Sequence, residues 1–306
     1  PPDSGQEPGP TPREIDAWVE ALWQDARTIP CPMTEESVYP YHRLAYPFQA
    51  VGANRYLRFA PEGREAFLAL WQPALASPAP LLVHTSGYGA EISFHPEMAA
   101  AGFHVLHIQP LGYITPTGWN ETLRRNGEWP VLEDTASSGA RGGYRTWLLD
   151  CLQAVEAVRT RPQVLPDRLS FFGTSQGGGG SLLLGSLFRS RGARAVAADQ
   201  PFLTGFSAFR SQGAYKGIRD RILSGPDPAR AIRSLGFVDT FSHVHRLDLP
   251  VLLTAGDADT VCPPDAIEAL WRQLSSHRAL VRLSGMAHGY NREFVQLATA
   301  WFRMYG

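Results

Sequence analysis

The run Leu169-Ser-Phe-Phe-Gly-Thr-Ser-Gln-Gly-Gly-Gly-Gly180 sets a short apolar segment directly before a glycine-rich segment that continues into apolar residues. Within it, Gly173-Thr-Ser-Gln-Gly177 has the G-x-S-x-G spacing of a serine on a sharp turn between a strand and a helix. The two glycines keep side-chain bulk away from the neighbouring strand and helix. The first amides of the helix favour negative charge in the space above Ser175. The run therefore predicts a strand-turn-helix unit that presents a nucleophilic serine.

Two other interpretations compete for this run. The turn could carry a serine with no chemical role, or Gly177–Gly180 could form a phosphate-binding loop. The glycines are not followed by the Lys-Ser/Thr pair of a P-loop, and their spacing misses G-x-G-x-x-G. The apolar segments on both sides favour the serine turn.

Short apolar runs recur along the chain, and helical patterns separate most of them. Strands that alternate with helices predict right-handed crossovers and a mostly parallel central sheet with helices on both faces. We therefore expect an α/β-hydrolase fold with lid-like insertions. The predicted strands are Leu81–His84, Val105–Ile108, Leu169–Phe172, Ala195–Ala198, Val251–Ala255 and Leu280–Leu283. The clearest predicted helices are Tyr144–Arg159, Gln176–Arg189, Asp265–Ser275 and Arg292–Met304.

The first part of the chain has a different pattern. Residues 1–12 are rich in Pro, Gly and acidic side chains, and we expect a disordered arm there, followed by a single domain at residues 13–306. Apolar residues from Ile15 to Trp23 recur at the spacing of an amphipathic helix. Early antiparallel strands are predicted at Val38–Tyr46, Arg55–Phe59 and Ala66–Trp71.

The expected partners of the serine follow it in the order acid, then histidine, each after a late strand. The loop after Val251–Ala255 contains two candidate acids, Asp257 and Asp259. Asp257 sits against the strand end, which favours a role in capping the turn. Asp259 lies further along, ahead of a Pro-Pro pair that fixes the chain, and we favour it as the acid. His288, in the loop after the last predicted strand, is the expected base.

These three side chains predict nucleophilic catalysis. A serine hydroxyl becomes a nucleophile when a neutral imidazole accepts its proton and a carboxylate orients that imidazole. The resulting oxyanion needs fixed hydrogen-bond donors. We expect one from the backbone N–H of Gln176 and the other from the loop Thr85-Ser-Gly-Tyr-Gly89, at Tyr88. Such a mechanism uses no metal and no organic cofactor.

Composition excludes several other classes of protein. The net charge is −1, so no global field attracts nucleic acid or an anionic membrane. Cys31, Cys151 and Cys262 form no CxxC pair and fit neither a disulfide framework nor a zinc site. No apolar run approaches the roughly 18–20 residues of a membrane span. We expect a small-molecule partner and a cytoplasmic location, with secretion left open because the chain begins with proline.

Taken together, these pieces resemble the acetyl xylan esterase and cephalosporin C deacetylase family, carbohydrate esterase family 7. The resemblance runs over most of the chain from the first Trp-rich helix. It implies a homo-oligomeric enzyme that removes acetyl groups from short xylo-oligosaccharides, other small acetylated sugars and cephalosporin C. It also implies Tyr88 as an oxyanion donor and favours Asp259 over Asp257. The best-matched pieces are Ser86-Gly-Tyr-Gly89, Gly173-Thr-Ser-Gln-Gly177, Ala197-Ala-Asp-Gln-Pro-Phe-Leu203 and Asp259-Thr-Val-Cys-Pro-Pro264.

Two positions depart from the pattern of the family. The Arg-Gly-Gln motif expected after Val105–Ile108 is Leu111-Gly-Tyr113 here, which removes a buried charged anchor. The His-Glu pair at the catalytic histidine is His288-Gly289, which leaves the base itself intact. We therefore expect a divergent member of the family.

Two long stretches, Leu111–Gly143 and Phe202–Asp248, exceed ordinary crossover lengths, and we expect them to lie over the active site as lids. Aromatic rings in or near them could stack on sugar rings, although core packing explains aromatic residues more often. The expected pocket residues are Tyr113, Pro201, Phe202 and Tyr290.

Two further hypotheses stay open. The same scaffold and triad could serve a peptidase or a thioesterase, because the pocket and not the fold decides the substrate. The fold could also be retained by a binding module without catalysis. The order of serine, acid and histidine along the chain argues against that second hypothesis.

Overall fold

A nine-stranded sheet forms the centre of the computed structural model, which describes residues 9–36, 53–88, 93–112, 114–115, 118–119, 130–206 and 214–306. Two further short strands, β6 (Ile114–Thr115) and β7 (Gly118–Trp119), pair only with each other. The strands of the large sheet are β1 (Met33–Glu36), β2 (Arg55–Phe59), β3 (Phe67–Gln72), β4 (Ala79–Thr85), β5 (His104–Gln109), β8 (Val164–Thr174), β9 (Ala193–Asp199), β10 (Val251–Gly256) and β11 (Arg278–Leu283).

The order of strands across the sheet is β1-β2-β3-β5-β4-β8-β9-β10-β11. Strands β1, β2 and β3 pair antiparallel, and β3 is also antiparallel to β5. From β5 to β11 every neighbouring pair is parallel. The predicted, mostly parallel sheet is therefore confirmed, with an antiparallel edge. Because parallel strands end at the same edge of a sheet, the loops after β4, β8, β9, β10 and β11 meet there.

Helices cover both faces of this sheet, and each face has its own hydrophobic cluster. Consecutive residues of one strand point to opposite faces and so enter different clusters, as Leu81 and Leu82 of β4 do. Within the described ranges, no helix combines the length and apolar character needed to cross a membrane. The helices are α1 (Pro12–Thr28), α2 (Pro96–Ala100), α3 (Pro130–Ser137), α4 (Tyr144–Arg159), α5 (Gln176–Leu187), α6 (Ala214–Leu223), α7 (Pro228–Gly236), α8 (Pro264–Gln273) and α9 (Arg292–Tyr305), with 3-10 turns at Pro110–Gly112 and Thr240–Arg246.

The N-terminal helix α1 belongs to the core. Thr11 and Glu14 form a reciprocal capping box that satisfies two backbone amides at its start. Its apolar face is buried against α4 and the 3-10 turn at Thr240–Arg246, and the Trp23 indole N–H donates to the Leu187 carbonyl over 3.0 Å. The residues that α1 buries are Ile15, Val19, Leu22 and Trp23.

Two sequence-based boundaries change. Residues 1–8 of the expected arm lie outside the described residues, but Pro10 is buried and packs on Gly236, and α1 starts at Pro12. Helix α1 therefore starts one residue before the expected domain boundary at residue 13, with Thr11 as its N-cap. The expected strand Val38–Tyr46 also falls outside the described residues, whereas the unpredicted strand β1 pairs with β2.

The described parts of the two long insertions pack on other helices. Helix α3, from the first insertion, contacts α4 and α7, and α6 contacts α7 within the second. The 3-10 turn of the second insertion contacts α1, α5 and α8. These segments extend the helical layer of the sheet. Residues 113, 116–117, 120–129 and 207–213 of the expected lids lie outside the described residues.

A buried ion pair anchors the loop after β5. Asp150 of α4 is 1% exposed, and one of its oxygens lies 3.0 Å from the Arg64 guanidinium. Its second oxygen accepts the backbone N–H of Leu111 over 2.9 Å. Leu111 itself has a left-handed backbone, with φ of 63°. Leu111, where the family has an arginine, is thus held through its backbone N–H by Asp150. The positive charge that pairs with Asp150 comes from Arg64, in the loop between β2 and β3.

Replacing Arg64 by alanine should leave Asp150 as an unpaired buried carboxylate. We expect the free energy of unfolding to fall by about 3 kcal/mol near pH 8. Burial raises the pKa of Asp150 to about 6, against the lowering effect of Arg64. The folded state thus holds this proton more tightly than the unfolded state, and that contribution to stability is lost as the pH rises through about 6. Without Arg64 the pKa rises further, so the destabilisation should be smaller near pH 5 than near pH 8.

Denaturant unfolding at the two pH values measures this difference. The matched control is Arg272→Ala, which breaks an exposed pair with Glu268 and should change stability by less than about 0.5 kcal/mol. An equal loss of stability at both pH values in Arg64→Ala would show that Asp150 does not carry the effect.

Candidate active site

Ser175 occupies the turn between β8 and α5. Its backbone has φ of 60° and ψ of −120°, a strained conformation for a residue with a side chain. The turn is held by its own backbone: the Ser175 N–H donates to the Asp199 carbonyl over 2.9 Å, and the Ser175 carbonyl accepts the N–H of Phe202 over 2.9 Å. The serine is therefore fixed by the chain that leaves the neighbouring strand β9.

The two glycines of the turn are required by the close approach of strand β4. A Cβ atom added to Gly173 would lie 2.4 Å from the Thr85 carbonyl oxygen, and one added to Gly177 would lie 1.9 Å from the same atom. No real side chain tolerates either distance, so the steric reason inferred from the pattern holds. The close approach also brings the loop after β4 beside the serine, since a Cβ on Gly87 would lie 3.9 Å from that of Ser175.

His288 reaches Ser175 from the loop after β11. Its Nε2 atom lies 2.9 Å from the Ser175 hydroxyl oxygen, and its Nδ1 atom lies 2.8 Å from a carboxylate oxygen of Asp259. Both distances are normal for hydrogen bonds. A hydroxyl, an imidazole and a carboxylate thus form one continuous chain, although 113 residues separate the serine from the histidine.

The structure also separates the two candidate acids. Asp259 is buried, and its other oxygen accepts the backbone N–H groups of Val261 and Cys262 over 2.7 and 2.8 Å. These two bonds fix the carboxylate that faces His288. Asp257 is instead exposed and pairs with Arg282 at 2.8 Å. Of the two aspartates, only Asp259 contacts the histidine.

Asp199, the last residue of β9, and Gln200, which follows it, hold the serine and histidine loops together. The Asp199 carboxylate accepts hydrogen bonds from Thr174 over 2.9 Å and from Asn291 over 3.1 Å, and a third from Thr254. Burial raises the pKa of Asp199 to about 6, while these hydrogen bonds act in the opposite direction.

The Gln200 amide brackets the histidine. It donates to the carbonyl of Ala287 over 2.9 Å and accepts the N–H of Gly289 over 2.9 Å. Sequence reasoning included Asp199 and Gln200 only as part of a family-like run and gave neither a role. A polar pair directly after a buried strand was the signal available, because that edge of the sheet collects functional groups.

The two expected oxyanion donors come from the start of α5 and from the loop after β4. Gln176 is the first residue of α5 and is buried, and its side-chain oxygen accepts a hydrogen bond of 2.8 Å from the Tyr144 hydroxyl. Its side chain therefore binds Tyr144 of α4, and its backbone N–H is the first of helix α5. Tyr88 is half-buried and follows Gly87, where an added Cβ would lie 3.9 Å from that of Ser175.

A cavity of about 530 Å³ opens in front of the serine. Tyr290 lines it, as expected, whereas Tyr113 lies outside the described residues. None of the described residues between 111 and 143 or between 202 and 248 lines it. The lining residues are His84, Ser86, Gly87, Tyr88, Ser93, His95, Phe172, Thr174, Ser175, Val261, His288, Gly289, Tyr290, Phe294 and Val295.

Two expected pocket residues belong to the core instead. Pro201 is buried and absent from the lining, and Phe202 is 1% exposed. The Phe202 ring packs against Phe206 and Tyr215, with centroids 5.7 and 5.1 Å away. The expectation for Pro201 and Phe202 was wrong, because the chain turns inward after Gln200 and buries both side chains.

The cysteines have no disulfide partners within the described residues, as the sequence indicated. Cys262 lies closest to the site, since its backbone N–H binds Asp259. Burial raises the pKa of its thiol well above the ordinary value, and the negative charge of Asp259 acts in the same direction. Cys262 is therefore a neutral thiol and not a competing nucleophile.

Comparisons with solved structures agree with this architecture. Acetyl xylan esterase 1 from Thermoanaerobacterium sp. JW/SL YS485 superposes with a TM-score of 0.77 at 21% identity, covering 97% of this chain and 95% of that one. Acetyl xylan esterase from Paenibacillus sp. R4 gives 0.76 at 19% identity, covering 98% and 97%. The acylaminoacyl peptidase of Pyrococcus horikoshii gives 0.60 at 18% identity, covering 82% of this chain and 40% of that chain. At these identities the likeness establishes the fold.

Sequence comparison is more specific. The family model described as acetyl xylan esterase (AXE1) matches residues 63–305, which is well over half of the chain and contains the serine turn, the acid loop and the histidine loop. The chain therefore belongs to the acetyl xylan esterase family of serine carboxylic-ester hydrolases.

Proposed function

We propose that this protein hydrolyses short-acyl esters, acetyl esters of small sugars or similar small molecules above all, through a triad of Ser175, His288 and Asp259. The observation that carries this proposal is the continuous hydrogen-bond chain from the carboxylate through the imidazole to the serine hydroxyl. Its end faces a cavity large enough for a small ester.

The reaction follows from the proton positions. As Ser175 Oγ attacks the ester carbonyl carbon, its proton passes to His288 Nε2, and Asp259 stabilises the imidazolium. The C–O bond to the alcohol then breaks, the alcohol leaves with the proton from Nε2, and the acyl group stays on the serine. A water molecule, deprotonated by the same Nε2, attacks the acyl-enzyme and releases the carboxylic acid. Serine and imidazole return to their starting states.

The negative charge that develops on the carbonyl oxygen requires fixed donors. The backbone N–H of Gln176 and that of Tyr88 are the proposed pair, and each such donor is worth about 3–4 kcal/mol of transition-state stabilisation. Support comes from the strained turn, which sets Ser175 at the start of α5, and from the close passage of Gly87 beside it. The helix dipole of α5 favours the same charge.

The cavity lining supports a small, partly apolar substrate. Tyr88 and Tyr290 provide aromatic faces on which a sugar ring can stack, and Phe172, Val261 and Val295 are apolar. The names of the two esterases of similar fold point to acetyl groups on xylan, which agrees with a short acyl chain. The similarity to an acylaminoacyl peptidase keeps amide hydrolysis as the alternative for testing.

Ser175→Ala should abolish turnover of p-nitrophenyl acetate. We expect kcat to fall by about 10⁴-fold or more, since removal of a triad nucleophile leaves only binding and oxyanion stabilisation. Labelling by a fluorophosphonate should disappear in parallel. The matched control is Ser181→Ala, a buried serine of the same helix whose hydroxyl only caps the Gly177 carbonyl, and it should retain activity and labelling. Full activity in Ser175→Ala would remove the serine mechanism.

A pair of substitutions in one loop tests the acid. Asp259→Asn should lower kcat by about 10⁴-fold, because the amide favours the wrong imidazole tautomer. Asp257→Asn should keep the activity of the original protein, since Asp257 pairs only with Arg282 at the surface. Steady-state rates with p-nitrophenyl acetate measure both. The reverse pattern would assign the acid to Asp257.

A substrate series tests the proposed ester class. Values of kcat/KM should be highest for acetyl esters and fall as the acyl chain lengthens from acetyl to octanoyl. Acetylated xylo-oligosaccharides should release acetate, and aminoacyl p-nitroanilides should be cleaved far more slowly. Comparison of kcat/KM for esters and anilides under the same conditions decides between the two. A preference for the anilides would replace the esterase assignment by that of a peptidase.

A further inference from the structure

Two buried histidines, His84 and His95, line the cavity that contains Ser175, and a third, His107, lies beside them. His84 is on β4 and His107 on β5, where the two are direct partners in the parallel register and so share one face of the sheet. His95 is at the N-cap position of α2, and its ring centroid lies 4.4 Å from that of His84. All three are at least nine-tenths buried. The proposed ester hydrolysis gives none of them a role.

The nitrogen atoms of these rings converge on one point beside Ser93. The Ser93 hydroxyl oxygen lies 3.4 Å from His84 Nδ1, 3.3 Å from His95 Nε2 and 3.3 Å from His107 Nδ1. Ligand atoms of a tetrahedral ion with bonds of about 2.0–2.1 Å are separated by about 3.3–3.4 Å. Each of the three histidines offers a ligand nitrogen within 4.8 Å of the others. The three distances from the Ser93 oxygen are therefore those of three edges of a tetrahedral site.

One distance differs from that arrangement. The Nδ1 atoms of His84 and His107 are 2.6 Å apart, which is a hydrogen bond between two neutral rings. Metal binding would break this hydrogen bond and move the two Nδ1 atoms about 0.7 Å further apart. A small rotation of each ring is enough for that movement. That hydrogen bond places a proton on one of the two Nδ1 atoms, and metal binding would release it or move it to the Nε2 atom of the same ring.

The surroundings suit a bound cation. The Gln109 amide nitrogen lies 3.0 Å from His107 Nε2, the ring nitrogen that faces away from the cluster. A ring that binds a metal through Nδ1 carries its proton on Nε2, so the Gln109 amide would have to turn and present its oxygen as the acceptor. The Glu97 carboxylate lies 3.8 Å from His95 Nδ1 and supplies a negative charge. Amide and carboxylate partners of this kind orient metal-bound imidazoles and raise their basicity. Phe172 packs against the His84 and His95 rings at 4.6 and 5.0 Å, which restricts their orientation.

We propose that His84, His95 and His107, with the Ser93 hydroxyl as a weaker fourth ligand, bind one divalent first-row transition-metal ion of the zinc type in the cavity wall. Three imidazoles and one oxygen form a donor set that suits Zn²⁺, Co²⁺ and Cu²⁺ and is poor for Mg²⁺ or Ca²⁺. The cysteine spacing led us to expect no metal, but the histidines lie on three elements without a short motif. Only the sheet order β5-β4 brings them together.

The experiment uses the full chain after treatment with a chelator. Titration with Zn²⁺, followed by calorimetry, should give one equivalent bound per chain. Co²⁺ should give the visible absorption of a four-coordinate site, and saturating Zn²⁺ should raise the unfolding temperature. His95→Ala, which alters a loop residue, should weaken Zn²⁺ binding by at least about 100-fold, since loss of an outer partner alone costs 10–100-fold. His84→Gln is the second variant if the first unfolds.

Two controls locate the ion. His104→Gln changes a buried histidine of β5 that binds the Ala74 N–H outside the cluster, and it should leave Zn²⁺ affinity unchanged. His288→Gln disrupts the other set of potential ligands, Asp259, Cys262 and His288, and should also leave affinity unchanged. Binding lost in His288→Gln but kept in His95→Ala would overturn the proposal, as would a wild-type chain that binds no stoichiometric Zn²⁺ or Co²⁺. Ser175→Ala should bind the metal normally, so the result is independent of the esterase mechanism.

Discussion

The site depends on the hydrogen bonds that the buried carboxylate of Asp199 accepts. It joins the end of β8 through Thr174, the end of β10 through Thr254 and the start of α9 through Asn291. Its backbone carbonyl holds the N–H of Ser175. A carboxyl group removed from water is costly unless hydrogen bonds replace the lost solvation, and this one receives them from three elements. The loops that carry the nucleophile and the histidine are thereby fixed to one central point.

The sequence was sufficient to predict the periodic and local features. The six parallel strands of the large sheet and helices such as α4 and α5 were predicted, because short apolar runs and helical patterns report burial directly. Strand β8 starts earlier than expected, at Val164 and not at Leu169. The serine turn could be predicted because its two glycines are required locally: the Thr85 carbonyl leaves no room for a side chain at either position. Local pattern could only favour Asp259 over Asp257, since the difference lies in which loop amides bind the carboxylate.

Features that depend on strand order could not be predicted. Gln200 brackets His288 only because β9 and β11 flank β10, and the histidine cluster requires β5 beside β4. Phe202 was expected in the pocket as an aromatic residue of the second long insertion, yet its ring packs with Phe206 and Tyr215. Aromatic residues near a site serve the core and the cavity alike, and their composition does not distinguish the two.

The position of α1 bears on how the folding unit is delimited. The family match begins at residue 63, yet α1 buries Ile15, Val19, Leu22 and Trp23 against the helices behind the sheet. Truncation at the start of the match would strip that apolar cover and leave Leu187 without the indole that binds its carbonyl. The remaining chain would expose a contiguous apolar surface and tend to aggregate. A recombinant fragment that began where the family match begins would therefore start about fifty residues too late, counted from Pro12 to residue 63.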